Sequence, residues 1–82
     1  MAESKIIPLL GQNLTFREME VAELVAEGLT NEEIAIKLNM SIQTVRNQTH
    51  SAFLKLGINN RVKLARWVWE RDLLVVRENG SL

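Results

Sequence analysis

The 82-residue sequence has no cysteine, no tyrosine, one proline, one histidine and only four aromatic residues, two Trp and two Phe. Without cysteine there is no disulfide framework and no thiolate metal site, which fits a reducing cytosol. A single histidine, with neither cysteines nor companion histidines, gives a metal ion little to bind. Carboxylate pairs in a plausible pocket, a phosphate-cradling glycine loop and a nucleophile–base set are also missing, so an enzyme is not expected and no cofactor is implied. Apolar runs extend over a few residues only, far short of a membrane span. The opening MAESK is not followed by the apolar stretch of a signal peptide, and a cytoplasmic location is expected. The chain is 46% hydrophobic, ordinary for a folded protein, and its length suits one domain with a core that is only just sufficient.

Net charge is absent as well, with ten acids against ten bases. The total conceals a segregation. Residues 1–33 hold seven acids and two bases, a balance of −5. Residues 34–69 hold Lys37, Arg46, Lys55, Arg61, Lys63 and Arg66 with no acid, +6, and residues 70–82 return −1. A polyanion responds to the local potential and not to the sum, so the middle of the chain is the part suited to a phosphate backbone.

Residues 1–13 read as an N-terminal arm or linker, with apolar residues around Pro8 and a turn-like Gly11-Gln12-Asn13. A repeated grammar of helix starts follows. Thr15 with Glu18 and Thr30 with Glu33 have the spacing of capping boxes. Leu14/Met19, Leu29/Ile34 and Met40/Val45 have the spacing of hydrophobic staples, and Ser41 is placed as the third cap. Gly28 and Gly57 are natural stops. Helices are expected at about 16–27, 31–38, 42–56 and 61–73, an all-α fold occupying residues 14–74 with a tail at 75–82. Val21, Ala22, Leu24 and Val25 should be buried, with Glu18, Glu20, Glu23 and Glu27 turned outward, which sets the first helix behind any DNA-binding surface.

In the third helix Val45, Thr49, Ala52, Phe53 and Leu56 share one side. Gln43, Arg46, Asn47 and His50 fall on the other, and these donor-rich side chains are of the kind that read base edges and phosphates in a major groove. A short helix, a three-residue turn at Asn39-Met40-Ser41 and then such a helix is the helix-turn-helix arrangement. In the fourth helix Trp67 and Trp69 lie two residues apart and cannot both fill one core, so one of them should remain partly exposed, at a boundary or at a dimer contact.

The segments LTFREMEV at 14–21, EGLTNEEIAIKL at 27–38, TVRN at 44–47 and KLGI at 55–58 together resemble the LuxR/GerE-type helix-turn-helix domain, the output domain of many bacterial response regulators. The resemblance runs from about Leu14 to Leu74, and RVKLARWVW is similar to the last helix of the nitrate-response-type regulators. It implies four helices, the third in the major groove of double-stranded DNA and the fourth pairing two copies, with transcription regulation as the role. Base contacts are then expected from Arg46, Asn47 and His50, the residues that the helical face also selects. Backbone contacts are expected from Thr30, Asn31, Ser41, Gln43, Thr44, Gln48 and Lys55, and dimer contacts from Leu64, Trp67, Val68 and Arg71. A receiver or ligand domain outside this chain is a further expected partner.

Glu32 stands where the family commonly has a basic residue, Gln48 where it commonly has His, and Leu54 where a polar or basic residue is frequent. Each departure removes positive or donor character near a phosphate path. A second reading therefore stays open, a protein-interaction or dimerisation module using the fourth helix and Leu54, with DNA contact weakened or lost.

Overall fold

The computed structural model describes residues 14–80, with side chains placed through residue 71. The expected arm at 1–13 lies outside the described residues. Among the described residues there are four α-helices: α1 Phe16–Ala26, α2 Asn31–Leu38, α3 Ile42–Leu56 and α4 Arg61–Gly80. The all-α, four-helix architecture read from the sequence is the one observed.

Each helix starts where a side chain can satisfy free backbone donors. At α1 the Thr15 hydroxyl accepts from the Glu18 amide at 3.0 Å, and the Glu18 carboxylate accepts from the Thr15 amide at 2.8 Å. Thr30 and Glu33 repeat the reciprocal pair at α2 with 3.1 and 2.8 Å. Ser41 caps α3 through the Thr44 amide at 3.0 Å, and Asn60 caps α4 through the Lys63 amide at 2.8 Å. The ends are as orderly. Leu29 N–H reaches back to the Leu24 carbonyl and Gly28 N–H to that of Val25, while Met40 and Asn39 do the same to Ala35 and Ile36. Both are Schellman closures, which need a residue with positive φ: Gly28 at 95° in the first, and Asn39 at 56° in the second. Asparagine tolerates that conformation better than other side chains, which makes the tight α2–α3 turn possible without glycine.

These stops fold the helices around one core. Val21, Ala22, Leu24 and Val25 of α1 meet Ile34 and Ala35 of α2, Val45 and Ala52 of α3, and Leu64 and Val68 of α4. A fully buried aliphatic side chain of this kind contributes about 1.5–3 kcal/mol. The core therefore holds the domain, with α1 at its centre, packed on the other three helices.

Two expectations about α4 need correction. It runs to Gly80 and not to about 73, because Leu74 to Asn79 contain no proline or glycine to stop it. The supposed dimer residues Leu64, Trp67, Val68 and Arg71 are spaced i, i+3, i+4, i+7, which is the stripe that α4 turns into the chain's own core. Leu64 and Val68 are buried there, Trp67 packs against the core, and Arg71 is half-buried. The opposite stripe carries Val62, Ala65, Arg66 and Trp69, with Val62 and Trp69 largely exposed. Trp69 is thus the tryptophan that stays outside.

Glu18 also departs from expectation. It is 5% exposed, whereas Glu23 and Glu27 lie in solvent and Glu20 is half-buried. Its position is i to Val21, Ala22 and Val25 at i+3, i+4 and i+7, so it belongs to the buried stripe of α1. One carboxylate oxygen accepts from Lys55 Nζ at 2.9 Å as well as from the Thr15 amide, and the other accepts from the Ser51 hydroxyl at 2.5 Å. Burial pushes the Glu18 carboxyl up. The Ser51, Thr15 and Lys55 donors and the Lys55 charge outweigh burial and hold it below its ordinary value of 4.5. Glu18 clamps α1 to the last turns of α3.

Candidate nucleic-acid interface

The outer face of α3 is built by what its inner face does. Val45, Thr49 and Ala52 are buried, and Phe53 and Leu56 pack against the core. This rotation leaves Gln43, Arg46, Asn47 and His50 exposed in one row. Arg46 and His50 make no hydrogen bond or ion pair among the described residues, so their donors are free for an incoming ligand. Gln43 Nε2 donates to Asn47 Oδ1 at 3.0 Å. That bond turns the Asn47 amide nitrogen away from Gln43 and leaves it free to donate, while Oδ1 keeps a second lone pair, so the carboxamide can still meet adenine with both ends.

Unlike α1 and α2, α3 has no acid in its own first turn, although Glu32 of α2 lines the groove beside Ser41 and Ile42. Ser41 is exposed, and its hydroxyl accepts from the Thr44 amide and donates to Thr44 Oγ1 at 2.9 Å. Thr44 and Gln48 are half-buried on the flank of the row. Thr30 is exposed at the start of α2, with its hydroxyl and amide both engaged by Glu33. Asn31, half-buried beside it, receives a hydrogen bond from Arg61. These residues stand at three places in the fold: the α2–α3 turn, the α3 row and the start of α2.

Lys55 stands apart from them in one respect. Its ammonium is paired with Glu18, so a phosphate contact there competes with an existing interaction. The sequence reading missed this clamp, and the signal for it was the Glu18 register. It also missed Arg61, whose link to α2 spans 30 positions in sequence and leaves no local pattern. Thr49 carries the remaining anomaly, a buried hydroxyl oxygen with no hydrogen-bond partner among the described residues.

Among the described residues there is no cluster of three or more potential metal ligands, and no helix is long and apolar enough to cross a membrane. The groove beside the α2–α3 turn is lined by Glu32, Ala35, Ile36, Asn39, Met40, Ser41 and Ile42.

A compact helical domain that buries one side of a helix and exposes a row of donors on the other has the form of a helix-turn-helix DNA-binding module. Residues 12–68 match the family described as "Bacterial regulatory proteins, luxR family", and the chain belongs to that family. It is accordingly a regulatory domain and not an enzyme. The chain is 44% identical over 57 residues to the transcriptional regulatory protein RcsB of Escherichia coli K12 and equally to that of Salmonella typhimurium, covering 70% of this chain and 26% of each relative. It is 40% identical over 62 residues to "Probable transcriptional regulator ycf29" of Cyanophora paradoxa, covering 76% of this chain and 30% of that protein. The chain thus spans less than a third of the length of these curated relatives.

Proposed function

We propose that the chain binds double-stranded DNA sequence-selectively as a symmetric dimer and so regulates transcription, with α3 lying in the major groove. The observation that carries this reading is the exposed row Gln43, Arg46, Asn47 and His50, set on a helix whose opposite side is locked into the core. Arg46 and His50 read base edges. Asn47 joins them, with the Gln43 bond orienting its carboxamide. Backbone contacts come from Thr30, Asn31, Ser41, Gln43, Thr44 and Gln48, supported by the acid-free stretch from residue 34 to residue 69. Lys55 contributes less than its charge suggests, because Glu18 already holds it.

The dimer forms through the outer stripe of α4, Val62, Ala65, Arg66 and Trp69, in place of the core-facing stripe. The domain works in the cytoplasm, next to receiver or ligand-binding sequence of a longer regulator. Exposed Leu54, at 69%, favours a second reading in which α4 and Leu54 engage another protein and DNA contact is lost.

Selection from a random duplex library at two salt concentrations, with Arg46→Ala in parallel, separates these readings. The expected result is an enriched inverted repeat that Arg46→Ala no longer prefers, since a bidentate Arg–guanine contact supplies about 1–3 kcal/mol of discrimination. An unchanged preferred site in Arg46→Ala would refute the assignment of the reading face. Absence of retention even at low salt would transfer the case to the protein-interaction reading.

A further inference from the structure

Arg61 is the first residue of α4, but its side chain serves α2. Nη1 donates to Asn31 Oδ1 at 2.8 Å, and Nη2 donates to the Leu29 carbonyl at 2.8 Å. Leu29 closes the end of α1 and Asn31 opens α2, so one half-buried guanidinium spans the junction of the two helices. The chemistry of the pair fixes an orientation. A guanidinium has donors only, so Asn31 must present its oxygen to Arg61, and the carboxamide N–H groups point the other way. Those N–H groups have no acceptor among the described residues. A lysine could not reproduce this, because its ammonium is a point donor and lacks the planar fork that meets two acceptors at once.

We propose that Arg61 is a positioning residue for duplex binding. By holding the Asn31 oxygen and the Leu29 carbonyl together, it aims the Asn31 amide donors at a DNA phosphate. The inference rests on the proposed function, in which Asn31 contacts the DNA backbone, and it extends that function to a residue on a different helix, outside both the turn and the reading row. Arg61 acts through Asn31, so its effect on affinity should exist only while Asn31 is present.

The test is a double-mutant cycle on the 82-residue chain. Binding to a labelled random-sequence duplex is titrated across a range of NaCl concentrations, and urea unfolding is recorded for every variant. Asn31→Asp keeps an oxygen for Arg61 and so preserves the junction, but it removes the outward N–H groups. It should unfold no earlier than the parent yet bind more weakly. Arg61→Lys keeps the charge, so its salt slope should match the parent's while affinity falls about threefold to tenfold, the worth of one hydrogen bond of ordinary strength. In an Asn31→Ala background the same Arg61→Lys change should cost no further affinity. Parent-like binding by Asn31→Asp, or independent and multiplicative losses in the cycle, would overturn the positioning role while leaving DNA binding itself intact. A parent chain that binds no duplex at low salt would overturn both this inference and the function beneath it.

Discussion

Replacing Glu18 should damage this domain more than replacing any other acid on α1, and its pH dependence should identify the cause. In Glu18→Ala the Ser51 hydroxyl loses a charge-assisted acceptor, worth about 1.5–3 kcal/mol, and the Thr15 amide loses its return bond, worth about 1 kcal/mol. The Lys55 pair adds little to the total. The Lys55 side chain is 35% exposed, so water replaces most of what is lost and less than about 1 kcal/mol is assigned to it. The sum is about 2.5–5 kcal/mol, a large share of what a domain of this size possesses at about 0.05–0.15 kcal/mol per residue.

Glu18→Gln keeps the shape and one acceptor, and should cost roughly half as much. It also removes the titration. The folded chain holds the Glu18 carboxyl below its ordinary 4.5, so between those two values the unfolded chain takes up a proton that the folded chain refuses. Stability from this group is complete above 4.5, falls as pH drops through the window, and is gone below the folded value. Urea titrations at pH 3 to 7, followed by tryptophan fluorescence and circular dichroism, should show a weaker acid limb for Glu18→Gln than for the parent. If the two proteins share both urea midpoint and acid limb, the clamp contributes nothing and the reasoning fails.

Two other substitutions test the packing. Thr49→Val keeps the shape of the side chain and removes a buried hydroxyl without a partner, so urea unfolding should be unchanged or shifted later by up to about 1 kcal/mol. On α4 the two stripes should behave in opposite ways. Trp69→Lys, at a site 61% exposed, should leave the unfolding midpoint nearly unchanged while abolishing the dimer on DNA in sedimentation velocity. Leu64→Ala should cost about 2–5 kcal/mol of stability in the monomer. A Trp69→Lys chain that still dimerises on DNA would remove the outer stripe from the interface.

Which parts of this were legible in the sequence follows from the range of the physics involved. Helix starts are local: Thr15 with Glu18 and Thr30 with Glu33 lie three residues apart, and both boxes form as their spacing indicates. The α3 row was legible because a periodic core face defines its own opposite. On α4 the same periodic argument was available, but Leu64, Trp67, Val68 and Arg71 were assigned to a partner when their spacing marks the stripe that the chain needs for itself. Glu18 was grouped with its acidic neighbours by charge, although its register put it with Val21, Ala22 and Val25. Arg61 had no such signal. Its partners Leu29 and Asn31 become neighbours only after α3 has returned the chain to the start of α2.

The division of α3 into a locked side and an open side has a consequence for how such a protein changes over time. The side chains at 43, 46, 47 and 50 contribute nothing to the core, so replacing them leaves the framework intact. Target preference is therefore free to drift or be selected almost independently of folding. Libraries randomised at those four positions should yield mostly folded chains with many different tastes in sequence. The same scaffold that is strict about Val45 and Ala52 is indifferent to the text that it reads.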